Sequence, residues 1–157
     1  MVRIFKRSGS NARNRRGSAV LEAALVFPIL LGLTFGAIEY GYYFFVKNTL
    51  QGAAREGCRA GIVLNNTYND IDDAVAGYLK AAGLNSSATT LDSKWTLTVE
   101  SPSGTTITSL SGVSAGSALY VTVKGNSWGT VGSGFRPMNL ISSSKSVTGV
   151  SVMRKEG

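Results

Sequence analysis

The strongest pattern in the chain is an apolar run from Ala19 to Val46, interrupted by only two charges, Glu22 and Glu39. As a helix its 28 residues would reach ~42 Å, against a hydrocarbon layer of ~30 Å. Glu22 and Glu39 stand 17 residues apart, or ~26 Å along a helix, near opposite edges of such a layer, where a carboxylate costs less than at mid-depth. A secretory signal peptide has a shorter apolar region, about 7–15 residues, closed by an A-x-A-like site. This run is longer and no such site closes it, so it reads as a retained membrane-spanning helix. Helical texture continues past the run to about Leu64.

A polar break at Asn65–Asn69 follows. Ile71, Ala74, Val75, Tyr78, Leu79 and Ala82 then recur at helical spacing, which predicts a short amphipathic helix over Asp70–Ala82. Asn69 or Asp70 can cap its start and Gly83 can end it. From Leu91 the period changes to two. Trp95–Glu100 and Leu119–Lys124 alternate apolar and polar positions, Pro102-Ser-Gly104 suits a hairpin turn into Thr105–Leu110, and Val147–Met153 makes a last strand. The expected fold is therefore α+β: a long N-terminal transmembrane helix extending into a short second helix and a small, mainly antiparallel sheet. Three zones result. Residues 1–17 form a polar leader expected to be disordered, residues 18–64 a long helix that spans a membrane to about residue 46, and residues 65–157 an α+β domain.

Charge sharpens this picture. The chain carries a formal +7, and Arg3, Lys6, Arg7, Arg13, Arg15 and Arg16 all lie in the leader. Subtracting these six from +7 leaves +1 for the rest, so nothing beyond the leader offers the basic patch that nucleic acid requires. Basic residues before an apolar span hold that end in the cytoplasm, which puts the later domain on the other side. With no histidine, histidine acid–base chemistry and most metal sites are excluded; no cofactor is expected. One cysteine, Cys58, precludes an internal disulfide and reads as a small packing residue. The glycines at 129, 132 and 134 lack phosphate-loop order. Asp70, Asp72 and Asp73 lack calcium-loop spacing and suit a helix start better.

The remaining signals lie along the long helix. Gly17-Ser18 is a narrow step beside the basic cluster, a place where a protease could lay the backbone deep in its groove. A cut there would leave Glu22 at the fifth position, one helical turn from the new amine of Ser18. Pro28 removes a helix hydrogen bond and crowds the carbonyl of Ala24, so a kink or local melting is expected. Gly32 and Gly36 form G-x-x-x-G, and Ala53, Gly57 and Gly61 repeat the four-residue spacing; such stripes allow close helix approach. Tyr40, Tyr42, Tyr43, Phe44 and Phe45 read as an interfacial aromatic belt. Arg55, Glu56 and Arg59 read as a solvated face with a weak ion pair.

RRGSAVLEAALVFP, followed by IEYGYYF and TLQGAAREGCRAG, resembles the TadE-like pseudopilins of Tad (Flp) pilus systems, which are relatives of type IVb pilins. The likeness covers residues 13–61, is weak through the sheet, and departs at Cys58, where the family often has a small residue. The resemblance implies no enzymatic activity. It implies cleavage between Gly17 and Ser18 by a prepilin peptidase, pairing of Glu22 with an N-terminal amine, and partners among other pilin-like subunits, the Tad assembly platform and the lipid bilayer. The implied location is the inner membrane with the C-terminal domain extracytoplasmic, or a cell-surface pilus used in adhesion. A single-pass anchored sensing or adhesion module is the other function class that fits the residues.

Overall fold

Among the described residues seven elements follow in order: α1 (Asn11–Ile62), α2 (Tyr68–Ala81), β1 (Trp95–Glu100), a 3-10 turn (Leu110–Gly112), β2 (Ala118–Gly125), α3 (Trp128–Val131) and β3 (Val147–Arg154). The structure is a computed structural model and describes residues 11–132 and 135–156. Arg3, Lys6, Arg7 and Gly134 lie outside the described residues. The α+β expectation holds: a long apolar helix, a second helix and a three-stranded antiparallel sheet.

α1 begins at Asn11, so the part of the leader from Asn11 to Gly17 is helical rather than irregular. No proline or glycine interrupts residues 11–16, and extending an existing helix adds a hydrogen bond per residue without a new nucleus. The helix also runs unbroken through Pro28, against the expected melting. In apolar surroundings a freed backbone group finds no water to replace its helix partner, which favours keeping the rest of the ladder. α1 ends where Asn65 takes a left-handed conformation (φ 67°) and the Asn66 side-chain amide donates to the Ala60 carbonyl at 2.8 Å.

The chain divides into two units, residues 1–38 and 39–157. In the second, α2 starts two residues before the expected position. Thr67 is its N-cap, and the Asp70 carboxylate accepts from the Thr67 backbone N–H at 2.6 Å and from its hydroxyl at 2.8 Å. At the other end Gly83 (φ 75°) donates to the Lys80 carbonyl, and Leu84 donates to that of Leu79 at 2.8 Å. This is a Schellman closure whose hydrophobic pair, Leu79 and Leu84, is buried.

β1 pairs with β2 and β2 with β3, in the order β1-β2-β3. The hairpin partner expected at Thr105–Leu110 does not form. The turn is present, with Gly104 at φ 78° donating to Ser101, but pairing stops after one bridge, Glu100 to Thr106, and the Ile107 N–H donating to Val99. The apolar positions Ile107 and Leu110 are three apart, which suits a helical turn rather than a strand face. Inward side chains from the sheet (Val99, Leu119, Val121, Val123, Val147) meet Ile71, Val75 and Leu79 of α2 and Val46, Leu50, Ala53, Ala54 and Cys58 of α1 in one core.

Candidate functional site

The N-terminal unit is a helix without a core. Val20, Leu21, Leu25, Phe27, Leu30, Leu33, Phe35 and Ile38 are exposed, Leu21 by 74%. A water-soluble chain rarely displays a continuous apolar surface of this size. Among the described residues this is the one helix long and apolar enough to cross a membrane, with a mean hydropathy of 2.0 over its best window and none of that window buried. Gly17, Ser18 and Glu22 are all exposed on it. Glu22, four residues after Ser18, lies one turn along the same face. Gly32 and Gly36 are half-exposed, and nothing lies within 4 Å of a Cβ placed at Gly32. The stripe therefore stands free for a neighbour at Gly32. The Thr34 hydroxyl is satisfied internally by the Leu30 carbonyl at 2.8 Å.

The second stripe is occupied. Ala53 is buried. A Cβ on Gly57 would meet the Val75 side chain at 2.7 Å, and one on Gly61 would meet Leu119 at 2.6 Å and Ile71 at 2.9 Å. The small residues there admit α2 and the sheet of the same chain, so this stripe serves the protein's own fold. Cys58 is fully buried beside them, its Sγ 3.8 Å from the Leu119 carbonyl. Burial pushes its thiol above the ordinary range. Arg59 donates from Nε to both Glu56 oxygens, at 3.2 and 3.1 Å, on an exposed surface; such a pair contributes little.

Glu39 is held by the protein itself. Its side chain is fully buried. Its Oε1 accepts from the Ile141 N–H at 3.0 Å and its Oε2 from the Met138 N–H at 3.3 Å. Asn139, at φ 52°, turns the backbone so that both donors face one carboxylate, and Arg136 donates to the Ile141 carbonyl at 3.1 Å. The aromatic belt is also divided. Tyr42 and Tyr43 pack on buried Trp128, with ring centroids 5.8 and 5.1 Å away, while Tyr40, Phe44 and Phe45 stay exposed.

Several contacts have no counterpart in the sequence pattern. Trp128 lies in a four-residue helix, too short to show a period. The Gln51 side chain exchanges two hydrogen bonds with the backbone of Val150 and so occupies a length of β3's free edge. Asn85 is buried; its amide donates to Ser87 and Thr90 carbonyls and its oxygen accepts from the Asp92 N–H. A polar residue between Gly83 and the first strand was the only available signal.

An exposed apolar helix with one carboxylate near its start, continuing into a small α+β unit, has the length and composition of a membrane anchor. The model of the family described as TadE-like protein matches residues 17–59, beginning at the Gly17-Ser18 step and taking in Glu22, the free stripe and most of the occupied one. The likeness read from the sequence motifs is thereby found again over those residues. No curated protein and no solved structure matches the chain.

Proposed function

We propose that this chain is a minor pilin-like structural subunit, a pseudopilin, for assembly of Tad/Flp-type pili used in surface adhesion. In this reading a prepilin peptidase cuts between Gly17 and Ser18. The basic leader holds the N-terminus in the cytoplasm, residues 19–38 lie in the inner membrane, and the unit from Glu39 onward lies outside. Those 20 residues reach ~30 Å as a helix, one hydrocarbon layer. The observation that carries the reading is Glu22: a lone, exposed carboxylate, one turn past the cut, within an otherwise apolar helix. A charge costs less there once paired with an ammonium. The freed amine of Ser18, on this chain or on a neighbouring subunit, supplies one. The free Gly32/Gly36 stripe would then admit the helix of another pilin-like subunit, with the Tad assembly platform as the further partner.

The test is the intact mass of membrane-extracted protein from cells that contain the peptidase, measured beside the pilus yield of cells lacking this chain. Loss of the first 17 residues together with a fall in pili supports the proposal. A mature chain that starts at Met1 with pili unchanged overturns it in favour of an anchored sensing or adhesion module.

A further inference from the structure

The loop that Glu39 holds carries a surface of its own. Phe135, Met138 and Leu140 are 52%, 44% and 49% exposed, three large apolar side chains within six residues. The loop is fixed to α1 at two points: the Glu39 carboxylate binds its backbone at Met138 and Ile141, and the Phe135 ring packs on Tyr42 at 5.6 Å. A carboxylate buried to hold an otherwise exposed loop keeps that loop level with the first turns of the second unit. Beside the loop is a cleft of about 210 Å³ lined by Tyr40, Tyr43, Leu140, Ile141, Ser142 and Lys145. The Lys145 ammonium lies 5.9 Å from the centre of the Tyr43 ring.

We infer that residues 135–145, with Tyr40 and Tyr43, form a second membrane contact that takes an anionic phospholipid. Phe135, Met138 and Leu140 enter the outer edge of the acyl region, and the cleft receives the headgroup phosphate. The inference rests on the reading that residues 19–38 span the bilayer. The place of the anchor is the first argument: Glu39, which holds the loop, directly follows Ile38 in the chain, and in that reading of the span residue 38 is where hydrocarbon gives way to headgroups. Chemistry is the second. Tyrosines with an apolar body and a polar tip suit that zone, and a lysine beside hydroxyls offers a phosphate one cation and several donors.

The full chain with Cys58→Ala is reconstituted in phosphatidylcholine vesicles with and without phosphatidylglycerol. One environment-sensitive fluorophore is attached through Met138→Cys, Leu25→Cys or Val152→Cys, and lipids brominated near the headgroup or near the chain end serve as quenchers. The expected result is that the Met138 label is quenched about threefold more by shallow than by deep bromines, as for a side chain at the acyl boundary. The Leu25 label should respond to bromines and the Val152 label to neither. Glu39→Gln should reduce Met138 quenching, because an amide cannot accept from both backbone donors in the same way. Lys145→Gln should abolish the gain given by phosphatidylglycerol. Met138 quenching no greater than that of Val152, with Leu25 quenched, overturns the loop contact and leaves the span standing. An unquenched Leu25 label overturns the span and this inference with it. A blue-shifted but unquenched Met138 label means that protein, such as a second copy, covers the loop, and also overturns it. A phosphatidylglycerol gain that survives Lys145→Gln overturns the headgroup assignment.

Discussion

Gly149 of β3 lies directly against the backbone of Leu50 in α1: a Cβ at Gly149 would stand 2.3 Å from both the carbonyl carbon and the carbonyl oxygen of Leu50. Gly149 faces the core, opposite Val123 in the ladder. Its missing side chain lets the helix backbone approach β3 closely enough for Gln51 to bind Val150.

Gly149→Ala should therefore destabilise the α+β unit strongly. The obstacle is backbone and cannot swing aside like a rotamer, so the cost belongs at the upper end of overpacking, about 3 kcal/mol. Denaturant unfolding of the detergent-solubilised chain measures it, followed through the core tryptophans Trp95 and Trp128. Gly104→Ala is the contrast. Nothing lies within 4 Å of its Cβ position, and only the backbone strain of φ 78° opposes it, so the loss there should be smaller, about 1 kcal/mol.

Much of this architecture is legible in residue spacing. Ile71, Val75 and Leu79 mark the buried face of α2, and the alternation in Trp95–Glu100 and Leu119–Lys124 marks two strands that form with their inward residues in the core. What spacing cannot show is a partner far along the chain. Glu39 has only apolar and aromatic neighbours nearby in sequence, whereas its nearer fixed donor, Ile141, stands 102 residues away. Likewise Gly57 and Gly61 look like a stripe for another helix; whether such a stripe meets another subunit or the chain's own α2 and β2 depends on tertiary placement. Gly32, in a stripe of the same spacing, remains free. Gly149 reads in sequence as a weak point in a strand, although it marks the tightest approach of sheet and helix.

The two capping carboxylates predict an acid response. Hydrogen bonds from the Thr67 backbone and hydroxyl hold Asp70 below its ordinary range, and those from Ser86, together with Lys94, do the same for Asp92. A carboxyl whose value is lower in the folded chain stabilises above its unfolded value, about 4, and loses that contribution as pH falls through the folded value. Asp72, raised by burial and by Asp73, works in the opposite direction and blunts the effect. The unfolding midpoint should be flat from about pH 7 to 5 and fall below about pH 4. Asp92→Asn should lower stability at neutral pH and flatten the acid limb; an unchanged acid limb in that variant would remove Asp92 from the account.

Gly32→Leu and Gly36→Leu separate membrane insertion from helix packing. Leucine is more apolar than glycine, so both variants should enter the membrane as the parent does. A leucine on the free stripe blocks close backbone approach and should reduce crosslinking to partner pilin-like helices. Gly57→Leu should behave differently. It collides with Val75, Val121 and Ile71 and should show itself as unfolding rather than lost association. Undiminished crosslinking in both stripe variants would mean that the spacing has no partner.

Glu22 is the sharpest test of the proposed role. It is exposed on an apolar helix, four residues after Ser18, and is separated from Glu39 by 16 residues that carry no charge. Among the described residues no salt bridge involves it; in the proposed role the amine freed by cleavage supplies the cation that compensates it in lipid. An unpaired carboxylate in apolar surroundings is expensive, and pairing offsets that desolvation. Glu22→Gln retains size and polarity and removes the charge. It should lower the cost of insertion, leave cleavage after Gly17 intact and reduce pilus yield, because the subunit can no longer draw in an N-terminal ammonium. Leader removal by blot and pilus yield are measured in the same cells, with the variant as the sole copy. Normal pili would leave Glu22 as a snorkelling interfacial residue. Failed cleavage would instead move its role to recognition by the peptidase.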